Sequence, residues 1–144
     1  MLDLTALYHI AEENGIKIRD FDLEDCEALA MRYKCKDYVV IDSAQVKSSV
    51  DEKMKLGHEI GHCITGGLYL HNSPYSVKKK CENRADKWAI ERLVPLEELN
   101  NAAHDGYTEI WELAEHFDVT EDFVKKALCW YLYGTLDTEN YFAS

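Results

Sequence analysis

Apolar residues in the first third of the chain change their spacing from one segment to the next. Segments in which apolar residues recur three or four positions apart predict helices, whereas short alternating or β-branched runs predict strands. The pattern predicts a helix, a short strand, a second helix with Asp22 as its N-cap and a second strand, at residues 3–14, 16–18, 23–33 and 38–41 in that order.

A capping-box pattern predicts one longer helix in the middle of the chain. Ser49 and Glu52 have the spacing S-x-x-E that is typical of a helix start. The helix should continue to about Ile64 and stop at the glycine pair 66–67. We expect a loop over residues 68–80.

Helical spacing returns in four segments of the C-terminal half. It predicts helices at 81–93, 95–99, 108–117 and 121–133, the last two with Thr108 and Thr120 as N-caps. Because helices dominate and the small sheet lies near the N-terminus, the predicted fold class is α+β, mostly helical, with a C-terminal helical hairpin.

Composition and charge narrow the range of functions. The 144 residues fit a single domain, and 16 basic against 27 acidic residues give a formal charge of −11, which opposes direct binding to nucleic acid. No apolar run reaches the roughly 18 residues of a membrane span, and the N-terminus has no signal-peptide pattern. The five cysteines are odd in number and show no paired spacing, which favours reduced thiols in a reducing compartment. We expect a cytoplasmic protein with no membrane or nucleic-acid partner.

The clearest chemical signature lies inside the longer helix, where His58, Glu59 and His62 form the pattern H-E-x-x-H. Residues four apart face the same side of a helix, so the two imidazoles can share one zinc ion. Glu59 stands at the flank of that face, where its carboxylate can take a proton from a zinc-bound water without binding the metal. The motif therefore predicts a zinc site with Glu59 as the catalytic base.

Two histidines leave a zinc site incomplete, so a third ligand is needed. The pattern H-E-x-x-H-x-x-G-x-x-H does not apply, because Thr65 and Leu68 occupy its last two fixed positions. Glu82, on the following helix, is the preferred third ligand. Asp86, one turn later, can accept the second N–H of a liganding imidazole. His71 in the expected loop is the alternative third ligand.

Two features near the motif have both a catalytic and a structural interpretation. Tyr69 and Tyr75 lie between the motif and the third ligand, where either hydroxyl could donate to the oxyanion of a tetrahedral intermediate, or either ring could simply pack in the loop. The strand at 38–41 could offer its edge to an extended peptide, or could be an ordinary member of the sheet.

The two helices expected at 108–117 and 121–133 are joined by a short turn and resemble a helix-turn-helix. The acidic balance of the chain favours a generic helical hairpin instead. In that interpretation the hairpin buries its apolar residues in the core, Trp111 among them, and Trp88 is also a core residue.

Three segments resemble the ImmA/IrrE-type metallopeptidases: GHEIGH at 57–62, ENRADKWA at 82–89, which looks like the E-x-x-A-N-x-F-A helix of that family, and LVP at 93–95. Asp86 replaces the usual asparagine and Trp88 the usual phenylalanine. The resemblance covers residues 4–130. It implies one domain over residues 1–144, with a minimal zincin core at 1–107 and the hairpin at 108–133 packed on it.

The resemblance also implies an activity, a gluzincin-like zinc endopeptidase. The zinc ligands would be His58, His62 and Glu82, with Glu59 as the base. Members of this family are often encoded on phages and mobile elements, where they act as anti-repressors by cleaving a helix-turn-helix repressor. The expected partner is thus a protein substrate, a transcriptional repressor. The alternative is a zinc-containing binding module that sequesters the repressor without cleaving it.

Overall fold

The computed structural model of the protein describes residues 2–139 and divides them into two compact units, residues 2–89 and 90–139. Within the described residues the chain forms six helices and a small sheet near the N-terminus, which confirms the mostly helical α+β class. The elements are α1 Leu4–Glu13, β1 Lys17–Asp20, β2 Ala28–Tyr33, β3 Lys36–Ile41, α2 Ser49–Thr65, α3 Tyr75–Leu93, α4 Leu96–His104, α5 Ile110–Phe117 and α6 Glu121–Tyr133.

The helix predicted at 23–33, with Asp22 as its N-cap, is wrong, because this segment contains strand β2. The residues Ala28, Leu29, Ala30 and Met31 favour a helix, but pairing with β3 along the whole length of the strand outweighs that preference. A two-residue turn at Lys34 and Cys35 joins the two strands, and both residues have positive φ angles, 50° and 62°. Such hairpin turns usually contain asparagine or glycine, so this one had no sequence signal.

The sheet has the order β1-β3-β2, with β1 parallel and β2 antiparallel to the central strand β3. Val39 and Ile41 of β3 are buried, as expected for the inner face of a sheet packed on helices. The strand at 38–41 is the central strand, so of its two interpretations an ordinary member of the sheet is confirmed and a free edge is wrong. Within residues 2–139, β1 and β2 are the two outer strands of the sheet, and each has one edge without a strand partner.

Helix α2 begins one residue earlier than the capping pattern predicts. Ser48 is the N-cap, and its hydroxyl accepts the backbone N–H of Asp51. The Asp51 carboxylate in turn accepts the N–H of Lys47. The helix ends as predicted at Gly66, which has a φ of 69° in the left-handed region that favours glycine.

Helix α3 is longer than predicted. It begins at Tyr75, so the loop expected over residues 68–80 ends at Pro74. The carbonyl of Pro74 accepts the N–H groups of Val77 and Lys78, which starts the helix directly after the proline. The basic residues 78–80 consequently lie on a helix rather than in a loop.

The backbones of α2 and α3 approach each other closely at Gly61. A Cβ atom at this position would lie 2.8 Å from the carbonyl oxygen of Ala85 and 3.3 Å from the ring of Trp88. Trp88 is buried here, as predicted. Glycine therefore allows the contact that places the motif of α2 beside the acidic residues of α3.

The unit of residues 90–139 contains α4, α5 and α6. Helix α4 begins after Pro95 and runs five residues beyond the predicted end at Leu99. The predicted cap at Thr120 is confirmed, since its hydroxyl accepts the N–H of Phe123, but the predicted cap at Thr108 is wrong, because Glu109 is the N-cap residue of α5.

The helical hairpin of α5 and α6 buries most of the apolar residues assigned to it. The buried residues are Leu113, Phe117, Val119 and Val124. Trp111 is an exception, because 55% of its surface is exposed, and the expectation that it is a core residue is wrong.

None of the helices within residues 2–139 combines the length and the apolar character needed to cross a bilayer.

Candidate metal centre

Helix α2 brings His58 and His62 to one face, four residues apart, and α3 brings Glu82 against both imidazoles. The Nε2 atom of His58 lies 2.7 Å from Glu82 Oε2, and the Nε2 atom of His62 lies 3.1 Å from Glu82 Oε1. The two Nε2 atoms are 3.1 Å apart. One ligand atom from each residue thus lies within 4.8 Å of the others, as required of a group that could hold one metal ion.

The second nitrogen of each imidazole has its own acceptor. His58 Nδ1 lies 3.0 Å from Asp86 Oδ1, and His62 Nδ1 lies 2.7 Å from the carbonyl oxygen of Gly67. When Nδ1 donates its hydrogen to these acceptors, Nε2 of each ring keeps a lone pair directed at the centre of the cluster. Two such lone pairs and a carboxylate fit a divalent cation that prefers nitrogen and oxygen ligands, such as zinc.

The electrostatics of the cluster also favour a positive charge at its centre. Burial lowers the pKa of His58, but hydrogen bonds with Asp86 and Glu82 outweigh burial and raise this pKa to about 10. Burial likewise raises the pKa of Glu82, but hydrogen bonds with His58, His62 and Tyr69 hold it well below its usual range. A cation is therefore stabilised here, whether a proton on an imidazole or a metal ion.

Glu59 lies beside the histidines but is not among the three converging ligand residues. Burial raises the pKa of its carboxyl group, while the neighbouring His58 and His62 oppose this rise. The backbone of Ala30 on the free edge of β2 also forms a hydrogen bond with this carboxylate. A carboxylate with a raised pKa next to a possible metal site has the position and the basicity that proton transfer needs.

The two candidate tyrosines differ in position. The Tyr69 hydroxyl donates to Glu82 Oε1 at 2.6 Å, and this hydrogen bond, together with burial, raises the pKa of Tyr69 to about 12. Tyr75 lies in the first turn of α3, and 77% of its surface is exposed. Within the described residues, the metal-binding group includes Glu82 rather than His71.

Gly67 is a part of the centre that the sequence did not reveal. The glycine pair predicts only a helix end, yet the N–H of Gly67 donates to the carbonyl of His62 and its own carbonyl accepts from the ring of the same residue. The glycine pair that follows H-E-x-x-H after three residues was the available signal, since a tight helix end returns the chain to the last turn.

A cleft of about 250 Å³ opens beside the cluster. It is lined by Glu59, His62 and Glu82, by residues 28–30 of β2, and by residues 67–69. The free edge of a strand thus borders the possible metal site, and an extended peptide can pair with such an edge.

A helix with two histidines one turn apart, completed by a glutamate from the next helix, defines a metallopeptidase-like fold with a possible metal site. The chain belongs to the peptidase M78 family, whose model, described as the IrrE N-terminal-like domain, matches residues 11–128. The resemblance to the ImmA/IrrE family is thereby confirmed. Comparison with curated proteins gives no match.

Proposed function

We propose that this protein is a zinc-dependent endopeptidase that cleaves a helix-turn-helix transcriptional repressor, and so acts as an anti-repressor. The observation that carries the peptidase proposal is the convergence of His58, His62 and Glu82 beside a fourth residue, Glu59, which is not needed as a ligand. A purely structural zinc site is closed by four protein ligands and has no use for a carboxylate in that position.

The ligand geometry suits zinc, and His58, His62 and Glu82 would hold it. When bound, zinc supplies a Lewis acid that lowers the pKa of water and polarises a carbonyl group. By accepting the Nδ1 hydrogens, Asp86 and the Gly67 carbonyl would keep the two imidazoles in the tautomer whose Nε2 has a free lone pair.

Glu59 would perform the proton transfers. Its carboxylate accepts a proton from the attacking water and returns it to the nitrogen of the leaving amine, which needs a group whose pKa is close to neutral. Burial moves the pKa of Glu59 in that direction.

Strand β2 would align the substrate. An extended peptide added to its free edge lies in the cleft next to Glu59 and His62, because residues 28–30 line this cleft. Tyr69 is the candidate oxyanion stabiliser that lies at the cluster, and its hydroxyl also orients Glu82. Tyr75 is exposed and is not among the residues that line the cleft, so Tyr69 is the preferred candidate.

The repressor is proposed as the substrate from the family resemblance. The fold adds a condition on the conformation of the segment that is cleaved. A repressor segment must be extended to pair with β2, so cleavage should occur in a linker or loop rather than within a helix of the repressor. Cytoplasmic localisation, a zinc cofactor and a phage or mobile-element origin belong to the same proposal.

The test uses Glu59→Gln, which keeps the size of the side chain and removes the base. Wild type, Glu59→Gln and the control Glu91→Gln, an exposed position on α3, are each loaded with zinc and incubated with the repressor encoded beside the gene. Loss of a general base reduces the rate by about 10²–10⁴-fold, so intact-mass spectra should show fragments with wild type and the control only.

Two outcomes contradict the peptidase proposal. Fragments of equal yield with Glu59→Gln indicate a contaminating protease or another base. An intact repressor that nevertheless loses DNA binding equally with wild type and Glu59→Gln indicates sequestration, the non-catalytic alternative. Repeating the assay inside cells supplies any activator that the peptidase needs. An intact repressor under these conditions therefore still contradicts the peptidase proposal.

A further inference from the structure

A second concave surface lies on α5, in the unit of residues 90–139. It has a volume of about 420 Å³. We call it the α5 pocket, and it is lined by Tyr107, Trp111, Glu112, Glu115 and His116. Four of these residues, Trp111, Glu112, Glu115 and His116, lie on α5, where pairs three or four positions apart lie on the same side of the helix.

The aromatic side chains of the α5 pocket do not serve the core. Trp111 is 55% exposed and Tyr107 is 37% exposed, whereas Leu113 and Phe117 fill the buried face of the same helix. The ring of Tyr107 lies 4.6 Å from the ring of His116, which braces one wall of the pocket. A solvent-exposed indole in a concave surface is typical of a binding surface rather than of chance exposure.

The chain segment that contains the pocket carries formal charges of one sign. Residues 96–122 contain nine of the acidic residues of the chain and no lysine or arginine. The carboxylates of Glu112 and Glu115 line the same pocket as the indole of Trp111. An indole face attracts a cation through its π-electrons, and the carboxylates attract it through their charge, so both features favour the same kind of ligand.

We propose that the α5 pocket binds an arginine side chain presented by a basic segment of a partner protein. A guanidinium group is planar, so it can stack on the indole of Trp111 and donate in pairs to a carboxylate of Glu112 or Glu115. A lysine ammonium can do only part of this. The inference does not depend on the proposed peptidase activity, because none of the five pocket residues belongs to the metal centre.

The probe is a short peptide of alternating arginine and alanine, compared with its lysine counterpart, and the protein is the full chain. The indole N–H signals of the three tryptophans are followed by NMR, and that of Trp111 is assigned by its loss in Trp111→Phe. The arginine peptide should shift the Trp111 signal and bind more tightly than the lysine peptide. Trp111→Ala should weaken binding about tenfold.

Two charge-matched variants separate the pocket from general attraction. Glu115→Gln removes a charge in the pocket, and Glu97→Gln removes one charge from the same acidic segment on α4, outside the pocket. Glu115→Gln should weaken peptide binding several-fold and Glu97→Gln should change it little. Unchanged circular dichroism spectra show that the exposed substitutions leave the fold intact.

Three results overturn the inference. Equal affinity of wild type and Trp111→Ala means diffuse electrostatic attraction without a pocket. Equal losses in Glu115→Gln and Glu97→Gln mean the same. A Trp111 signal that shifts with protein concentration in the absence of peptide identifies a second copy of this chain as the occupant instead.

Discussion

Two imidazole nitrogens that face each other at 3.1 Å, with a carboxylate beside both, form an arrangement that is stable only around a positive charge. Each ring is held in place by a separate acceptor, Asp86 for His58 and the Gly67 carbonyl for His62. The chemistry of the centre therefore depends on single atoms outside the ligand set as well as on the ligands.

We expect one zinc ion per chain, and we expect Glu82 to be needed for it. Glu82→Ala removes the oxygen ligand and should reduce zinc below one equivalent in dialysed protein, measured by atomic emission. His71→Ala is the matched control, and it should retain full zinc. Full zinc in Glu82→Ala together with loss in His71→Ala would instead make His71 the third ligand.

Asp86 should act on the metal through His58. Asp86→Ala removes the acceptor of the Nδ1 hydrogen and should weaken zinc affinity by about 10–100-fold, measured by competition with a chelator. Asp86→Asn keeps an acceptor oxygen and should lose less. If both variants bind zinc like wild type, Asp86 has no role beyond the surface of α3.

At the scale of single elements, the turn between β2 and β3 has an unusual composition. Lys34 and Cys35 both adopt positive φ angles, which side chains with a Cβ atom disfavour. Lys34→Asn combined with Cys35→Gly supplies the residues that such turns prefer and should raise the free energy of unfolding by about 1 kcal/mol in urea denaturation. Lys36→Asn, one residue into β3, is the control and should lower it. An unchanged midpoint for the double variant would show that the turn is not strained.

The same hairpin shows what the sequence could and could not predict about the elements. Helices α1 and α6 were predicted from their apolar stripes, and α2 from the capping pattern at its start and the glycine pair at its end, all three within a residue or two of their ends. Strand β2 was not, because its alanine and leucine residues favour a helix locally and its pairing with β3 is a tertiary effect. The start of α3 was missed since residues 75–80 are polar and exposed for the most part and carry no periodic signal.

The residues of the candidate metal centre were easier to place from the sequence than the strands of the sheet. His58, Glu59 and His62 lie on one helix, where spacing alone fixes their relative directions. The approach of Glu82 and Asp86 depends on the contact of α2 with α3 at Gly61, for which only the motif in α3 gave a signal. The acceptor at Gly67 and the bond between Tyr69 and Glu82 depend on the path of the loop, which no local pattern specifies.

At the scale of the whole molecule, metal and folding should be linked. All ligand residues belong to the unit of residues 2–89, so zinc bound there stabilises the folded state of that unit against unfolding. Zinc at about one hundred times its dissociation constant adds about 2.7 kcal/mol to the free energy of unfolding. The thermal transition should therefore rise by several degrees on adding zinc, measured by calorimetry.

The control for this link is the variant with His58→Ala and His62→Ala together, whose transition should not respond to zinc. Magnesium, which prefers oxygen ligands, should leave the wild-type transition unchanged. An equal response of the double variant to zinc would show that the ion acts elsewhere on this acidic chain.

The length of the turn at residues 34–35 has one further consequence. Along a strand, successive N–H groups point alternately to the element on one side and to the element on the other. The hydrogen bond between the Ala30 backbone and the Glu59 carboxylate therefore exists only in the present register of β2 against β3. Inserting a single residue after Cys35 would shift this register by one residue. The backbone groups of β2 that now point away from β3 would then point toward it. A change on the far side of the hairpin, made without touching any ligand, would then uncouple the glutamate from the strand that borders it.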